Sequence, residues 1–368
     1  MKYKISKPSL LKLEYWKIII ISTSIIFLGI MIFIQGAFLF QDELLNYGSL
    51  DIYTSVILVM VLLIENVIFF LFSVYIIKNN YFYSIFKSIK PFRSLHFVGM
   101  VLIGFFVYSS ISDSAIFNYE NILIIIPSIC MLLTWQFSTM LNDYYDVNID
   151  KVVHPDRPLV KERIEPWIFK EITIIFGTLS LIFSFLFSIE LLFLNVLFVI
   201  AGVLYSIPSI RLKNKVYGHV CVGYGSSVSF LYGFYGVYTL KNIDYIIMSS
   251  DISTIFFPDI FLLTLIIFFV FSISPLINAV KDYHGDKEDG VTNIYTVYGF
   301  DKGKKIVSIL IIILFLTPLI LFHSVIDLFM IIPLGLIASY IFYTLERYKI
   351  VFILYFIVLI YILLNFGI

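Results

Sequence analysis

Runs of roughly 17–25 apolar residues, each long enough to cross a hydrocarbon layer as a helix, follow one another along almost the whole chain. Their approximate limits are 16–40, 53–77, 95–111, 121–141, 169–187, 191–207, 219–239, 258–279, 305–322, 328–345 and 350–367. Backbone in lipid must satisfy its own hydrogen bonds, and a β-barrel would show short alternating segments instead. The expected fold class is therefore all-α, a polytopic transmembrane helical bundle. Composition agrees, with 60% hydrophobic and 14% charged residues, against about 25% charged in soluble domains. A net charge of zero offers no basic field for nucleic acid. The apolar character hardly breaks near Ser188-Ile189-Glu190, whereas the division between His323 and Asp327 is clear. Cys130 and Cys221 fall inside apolar runs without metal-ligand spacing and read as buried small hydrophobes. No cleavable signal peptide is expected, because the first run is long enough to span.

Lysine and arginine set the orientation. Placing the N-terminus inside puts 1–17, 78–96, 151–170, 208–217, 280–305 and 346–349 on the cytoplasmic side, with 24 of the 25 basic residues. Only Lys241 falls outside. This is the asymmetry of the positive-inside rule, and it predicts an integral protein of the cell membrane.

Two carboxylate clusters end up on that same cytoplasmic face. The first runs from Asn142 to Asp150, the second from Lys281 to Asp286, with Glu288, Asp289 and Gly290 just beyond. At 100° per residue, Asn142, Asp143, Asp146 and Asp150 share one arc of about 100°. Asp282 and Asp286 are an i, i+4 pair, and Asn278 extends their face by a turn. Aspartates at a membrane edge call for a compensating cation. Hard oxygen donors without a His/Cys set suit Mg²⁺, which bridges carboxylates to phosphates and keeps its waters. Two such faces suggest a divalent-metal site for a diphosphate, whose outer oxygens lysine and arginine can hold. A third cytoplasmic segment, Tyr205 to Lys213, adds Arg211 and Lys213. Its spacing alone fits either diphosphate binding or simple charge bias.

Taken together, these segments resemble the UbiA-type intramembrane prenyltransferase superfamily. The first cluster is similar to its N-D-x-x-D-x-x-x-D pattern, and His154-Pro155-Asp156-Arg157-Pro158-Leu159 to its P-D-R-P loop. Asp282 to Asp286, followed by Gly290, resembles the second acidic motif. Leu204-Tyr205-Ser206, Pro208 and Arg211-Leu212-Lys213 resemble the segment between them, and Lys90-Pro91 the opening of the core. The branch with archaeal ether-lipid geranylgeranyltransferases, homogentisate prenyltransferases and chlorophyll synthases is the more similar one. Some members carry a lysine four residues after the tyrosine of the middle segment, where this chain has Ser209.

The resemblance covers about 86–368, a core of nine spans, and leaves 1–85 as an N-terminal segment with a two-span accessory hairpin. It implies an Mg²⁺-dependent enzyme that moves an isoprenyl group from its diphosphate to a membrane-soluble acceptor, an aromatic quinone precursor or a lipid, through an allylic carbocation. It assigns metal binding to Asn142, Asp143, Asp146, Asp150, Asp282 and Asp286, with Asp146, Asp150, Asp282 and Asp286 catalytic. Asn142, Lys151, Arg157, Tyr205, Arg211, Lys213 and Lys281 become diphosphate contacts, and Tyr145 an orienting or cation-facing group. Aromatic side chains, 18% of the chain, can line the tunnel and face a cation. His154 and His284 receive no role. The competing class is a cation transporter or channel with an acidic cytoplasmic mouth, although transporter sites usually lie near the midplane.

Overall fold

The computed structural model describes residues 78–111, 124–241, 258–288, 291–320 and 324–365, with single positions between 64 and 75. The chain divides into two units, Met1–Phe86 and Lys87–Ile368. Expected span 16–40 and, apart from those single positions, 53–77 lie outside the described residues. So do 242–257, Asp289 and Gly290.

The long helices of the second unit are α2 (Pro91–Ile111), α3 (Ile125–Tyr145), α5 (Pro166–Phe187), α6 (Ile189–Ser206), α7 (Val220–Lys241), α8 (Pro258–Ala279), α11 (Phe300–Leu316), α12 (Val325–Leu345) and α13 (Tyr348–Asn365). Shorter ones are α4 (Val147–Val153), α9 (Tyr283–Glu288) and α10 (Ile294–Tyr298); α1 is Asn79–Ser88. Among the described residues, six helices are long and apolar enough to cross a membrane, those centred on α2, α5, α6, α8, α11 and α12. The expected spans 121–141 and 219–239 fold as α3 and α7 but are less apolar. They carry Thr134, Gln136, Ser138 and Thr139, and Ser226, Ser227 and Ser229, all buried inside the protein. In α13 the apolar stretch is the shorter Tyr348–Val358.

Local chemistry sets the breaks. Ser188 is extended (φ −166°, ψ 159°), and its hydroxyl accepts the Leu191 N–H, so an N-cap divides α5 from α6 where hydropathy does not. A reciprocal box of Ser324 and Asp327 starts α12. Proline opens α5 at a position where its missing N–H costs nothing.

Helices α2 and α7 pack backbone to backbone. A Cβ on Gly104 would lie 2.0 Å from the Phe230 carbonyl oxygen, and one on Gly233 only 1.9 Å from that of Val101. Small residues permit such an approach where apolar surface gives helices little reason to pair in lipid. Across α3, α5, α6 and α7 a buried polar chain does the same work. Thr134 donates to Asn195 Oδ1 (2.7 Å), and Asn195 Nδ2 donates to the Ser180 carbonyl (3.0 Å) and Ser184 Oγ (2.7 Å). Ser184 Oγ lies 2.6 Å from the Tyr232 hydroxyl. The later helices α8, α11, α12 and α13 share a core of Ile277, Val307, Phe315, Ala338, Phe342 and Val351. Tyr295 of α10 is fully buried in it and donates to the Leu276 carbonyl (2.9 Å). Phe329, Tyr340 and Phe356 stand exposed on the outside, as suits side chains that meet lipid rather than water.

Candidate active site

Five helices each contribute one stripe to a cavity of about 640 Å³. The stripes are Lys90, Arg93, His96 and Phe97 at the start of α2; Trp135, Ser138, Thr139 and Asn142 on α3; Phe198, Ala201, Gly202 and Tyr205 on α6; Cys221, Val222 and Gly225 on α7; and Phe271, Ser274, Pro275, Asn278 and Ala279 on α8. Lys213 and Asp282 complete the wall. Spacings of three and four put each stripe on one helix face. Four stripes are polarised alike: Lys90 and Phe97, Asn142 and Trp135, Tyr205 and Phe198, and Asn278 and Phe271 are each a polar and an aromatic residue seven positions apart. Seven residues are about 10 Å of helix. The cavity thus has a polar end and an aromatic end. Phe97 packs on Trp135 (4.3 Å between centroids) and edge-on to Phe198 (5.4 Å).

The first acidic cluster sits at the polar end. Helix α3 ends at Tyr145, Asp146 turns (φ −95°, ψ 2°), and α4 resumes at once. Backbone bonds from Asp146 to Asn142 (3.0 Å) and from Asp150 to Asp146 (2.8 Å) carry the helical course through the turn. Asp143, Asp146 and Asp150 are only 4–5% exposed. Each meets a cation. Asp143 Oδ1 is 2.8 Å from both Lys90 Nζ and Arg157 Nη1, and Arg157 also reaches Asp150. Asp146 binds Arg211 Nη2 (2.6 Å) and Lys213. Arg211 does this from a left-handed backbone (φ 44°, ψ 61°), a conformation that costs a non-glycine residue about 1–2 kcal/mol. Burial pushes the Lys90 ammonium below its usual range, with Asp143 opposing. Burial likewise raises the Asp150 carboxyl, which Arg157 opposes and Asp143 and Asp146 reinforce.

The second cluster is differently placed. Asp282 is exposed and lines the cavity at the end of a 3-10 turn, Val280–Asp282. Asp286 is half-buried in α9 and accepts from Asn293 Nδ2 (2.7 Å). Lys151 and Lys281 are exposed, Lys281 lying 5.7 Å from the centre of the Tyr348 ring. His154 and His284 are also exposed, and Tyr145 packs edge-on to Tyr144. Cys130 is buried as expected, whereas Cys221 faces the cavity.

Oxygen donors suited to a hard divalent ion are present. Asn142 Oδ1 is buried at the cavity wall without a hydrogen-bond partner among the described residues, and the Asp282 carboxylate is on another wall. No cluster of three or more His, Cys, Asp or Glu disposed to hold a metal occurs among the described residues. The fit is to an ion that takes few protein ligands and completes its shell from phosphate and water.

Sequence reasoning missed Arg93, His96 and the paired role of Lys90. The signal was available: Lys90, Arg93 and Phe97 are spaced as one helix face.

The profile of the UbiA prenyltransferase family matches residues 97–351. The digeranylgeranylglyceryl phosphate synthase of Methanosphaera stadtmanae is 27% identical over 212 residues, 57% of this chain and 69% of that one. Its Saccharolobus solfataricus counterpart is 28% identical over 180 residues, 48% and 56%. A solved digeranylgeranylglyceryl phosphate synthase structure superposes with TM-score 0.58 at 19% identity, covering 77% of this chain and 97% of that one. A UbiA homologue from Aeropyrum pernix K1 gives 0.53 at 14%, covering 74% and 96%. These structures share the fold, and the family match spans most of the chain, both acidic clusters included. The chain is a multi-pass membrane enzyme that belongs to the UbiA prenyltransferase family.

Proposed function

We propose that the cavity binds an isoprenyl diphosphate and, with Mg²⁺ as cofactor, transfers its isoprenyl group to the hydroxyl of a membrane-soluble lipid. The observation that carries this reading is the shared polarity of four walls, each aromatic seven residues from its polar end. An amphiphile with a highly charged head and an apolar tail has that shape.

Arg157, Arg211, Lys213 and Lys90 bind the diphosphate oxygens through charge-assisted hydrogen bonds, competing with the carboxylates that now hold them. Lys151 and Lys281, further out, meet the head group from solvent, and Tyr205 orients it from the wall. Asn142, Asp143, Asp146, Asp150, Asp282 and Asp286 are the residues that would hold Mg²⁺. A divalent ion bound there supplies charge neutralisation to the leaving diphosphate. The faces of Phe97, Trp135, Phe198 and Phe271 receive the isoprenyl chain and stabilise an allylic cation. Their apolar surroundings exclude water, which would otherwise capture that cation.

The relatives make digeranylgeranylglyceryl phosphate, so a glyceryl phosphate lipid with a free hydroxyl is the favoured acceptor class. Arg93 lines the cavity one turn beyond Lys90 and has no ion-pair partner among the described residues. It is the cation left for the acceptor's phosphate. In this reading 86–368 is the catalytic core, 1–85 is accessory, and the polar end faces the cytoplasm, the side to which the positive-inside rule assigns the basic residues.

The test is diphosphate release by the full chain in lipid vesicles. Geranylgeranyl and farnesyl diphosphates are offered with and without Mg²⁺ and a glyceryl phosphate lipid. Mg²⁺-dependent release with a prenylated lipid of matching mass supports the reading. A folded protein that binds neither donor sinks it.

A further inference from the structure

His96 is the histidine of the cavity wall, and the reaction as described leaves it without a part. Its surroundings fix its chemistry. Ser226 on α7 is fully buried, and its hydroxyl donates to the Val222 carbonyl one turn back (2.8 Å). A serine hydroxyl has one hydrogen, and while that hydrogen rests on the carbonyl the oxygen accepts from His96 Nε2, also 2.8 Å away. In that arrangement the neutral imidazole carries its hydrogen on Nε2, and Nδ1 keeps its lone pair. No hydrogen bond to Nδ1 exists among the described residues. Phe97 and Phe271 hold the ring edge-on, with centroids 4.9 and 4.4 Å away.

The depth is also telling. His96 lies six residues along the chain from Lys90, about 9 Å of helix rise, and next to Phe97. It sits between the charged end and the aromatic rings. A donor whose diphosphate is held by Lys90 and Lys213 would bring its first carbon to this level.

We infer that His96 Nδ1 takes the proton from the acceptor's hydroxyl as the new ether bond forms. This rests on the transferase reading with an alcohol as acceptor. The bond between the first isoprenyl carbon and the diphosphate oxygen breaks, and both electrons leave with the diphosphate. A lone pair of the acceptor oxygen forms the carbon–oxygen bond. The electrons of the O–H bond stay on oxygen, and the proton passes to Nδ1. The resulting imidazolium, still donating to Ser226, returns its proton to water at the polar end after product leaves.

His96→Gln is the informative variant, since its amide can still donate to Ser226 but offers no basic nitrogen. Transfer to the lipid alcohol should fall about 10²–10⁴-fold, the usual contribution of a general base. Diphosphate release without acceptor, the melting temperature, and calorimetric affinity for a non-reacting thiolodiphosphate analogue should all match the wild type. Imidazole added to His96→Gly should restore part of the transfer. Ser226→Ala, which frees the tautomer but keeps the base, should lose less than His96→Gln. Two results overturn the inference. One is His96→Gln transferring within about twofold of wild type, which makes the departing diphosphate the proton acceptor. The other is a parallel loss of analogue binding, which makes His96 structural. A wild-type protein that releases no diphosphate removes the transferase reading, and this inference with it.

Discussion

Lys90 Nζ lies 2.8 Å from Asp143 Oδ1, so the entrance of α2 is tied to the exit of α3 across 53 residues of chain. The same carboxylate oxygen takes a second bond, from Arg157 in the loop after α4. One buried aspartate thus fixes three segments at the polar end. Arg157 goes further and joins Asp143 to Asp150.

Arg157 is therefore the cation whose loss leaves most behind. Arg157→Gln exposes two buried carboxylates to mutual repulsion, and Asp150 has no other cation partner among the described residues. We expect the variant to lose about 2–3 kcal/mol of stability, the scale for leaving buried charges unsatisfied. Its donor affinity should fall at least about tenfold, or 1.4 kcal/mol. Thermal melting in detergent and donor calorimetry check the two effects separately.

At Asp146 the choice of substitution matters. A ligand facing an open cavity would leave no void, but Asp146 is buried and holds both Arg211 and Lys213. Asp146→Ala sets those two cations against each other and should lower stability by about 2 kcal/mol. Asp146→Asn keeps a hydrogen-bond acceptor for them and should fold more nearly as wild type. Both should reduce transfer more than about 100-fold, as removal of transition-state charge stabilisation does elsewhere. Asp282→Asn, at an exposed position, should reduce transfer with no change in melting. An active Asp282→Asn enzyme would argue against a second acidic wall.

Arg93 gives a test of the acceptor. With Arg93→Gln, KM for a phosphate-bearing lipid alcohol should rise about tenfold, the loss of one charge-assisted contact. KM for the isoprenyl diphosphate should change less than about twofold, because Lys90, Arg157, Arg211 and Lys213 remain. Equal effects on both substrates would place Arg93 at the donor instead.

Packing makes its own prediction. Gly233→Ala forces a methyl against the Val101 carbonyl and Gly104→Ala one against that of Phe230. Each should cost about 1–3 kcal/mol. Gly99→Ala, where the added Cβ meets nothing within 4 Å, is the control on the same helix and should leave melting unchanged.

Much of this was legible before any coordinates. The apolar runs set the helices, and the helical course runs on through the turn at Asp146, although of Asn142, Asp143, Asp146 and Asp150 only Asn142 lines the cavity. What the sequence did not reveal was pairing. Arg211, Lys213 and Arg157 read as charges awaiting a ligand, yet each faces a carboxylate from the cluster with which it was to share that ligand. Spacing along one helix reports which residues share a face, and says nothing of which face lies opposite. Arg93 and His96 were hidden for the same reason. A polar residue in the first turns of an apolar helix looks like a membrane-edge residue until the other four walls are drawn around it. The break at Ser188 was faint because a single hydroxyl cap, not a change in hydropathy, makes it.

The buried chain from Thr134 to Tyr232 has a consequence for how the protein is made. Asn195 follows Ser184 by 11 residues and Thr134 by 61, so α3, α5 and α6 can satisfy one another as soon as α6 leaves the ribosome. Tyr232 arrives 48 residues after Ser184 but only 37 after Asn195, which at about 5–20 residues per second is a delay of roughly 2–7 s. During that interval three helices can form a hydrogen-bonded cluster with one position still open on the Ser184 oxygen. When α7 enters the bilayer it meets a template that fixes its depth, and with it the height of Ser226. The Ser184–Tyr232 bond and the close approach to α2 at Gly104 and Gly233 together set the height at which α7 presents Ser226.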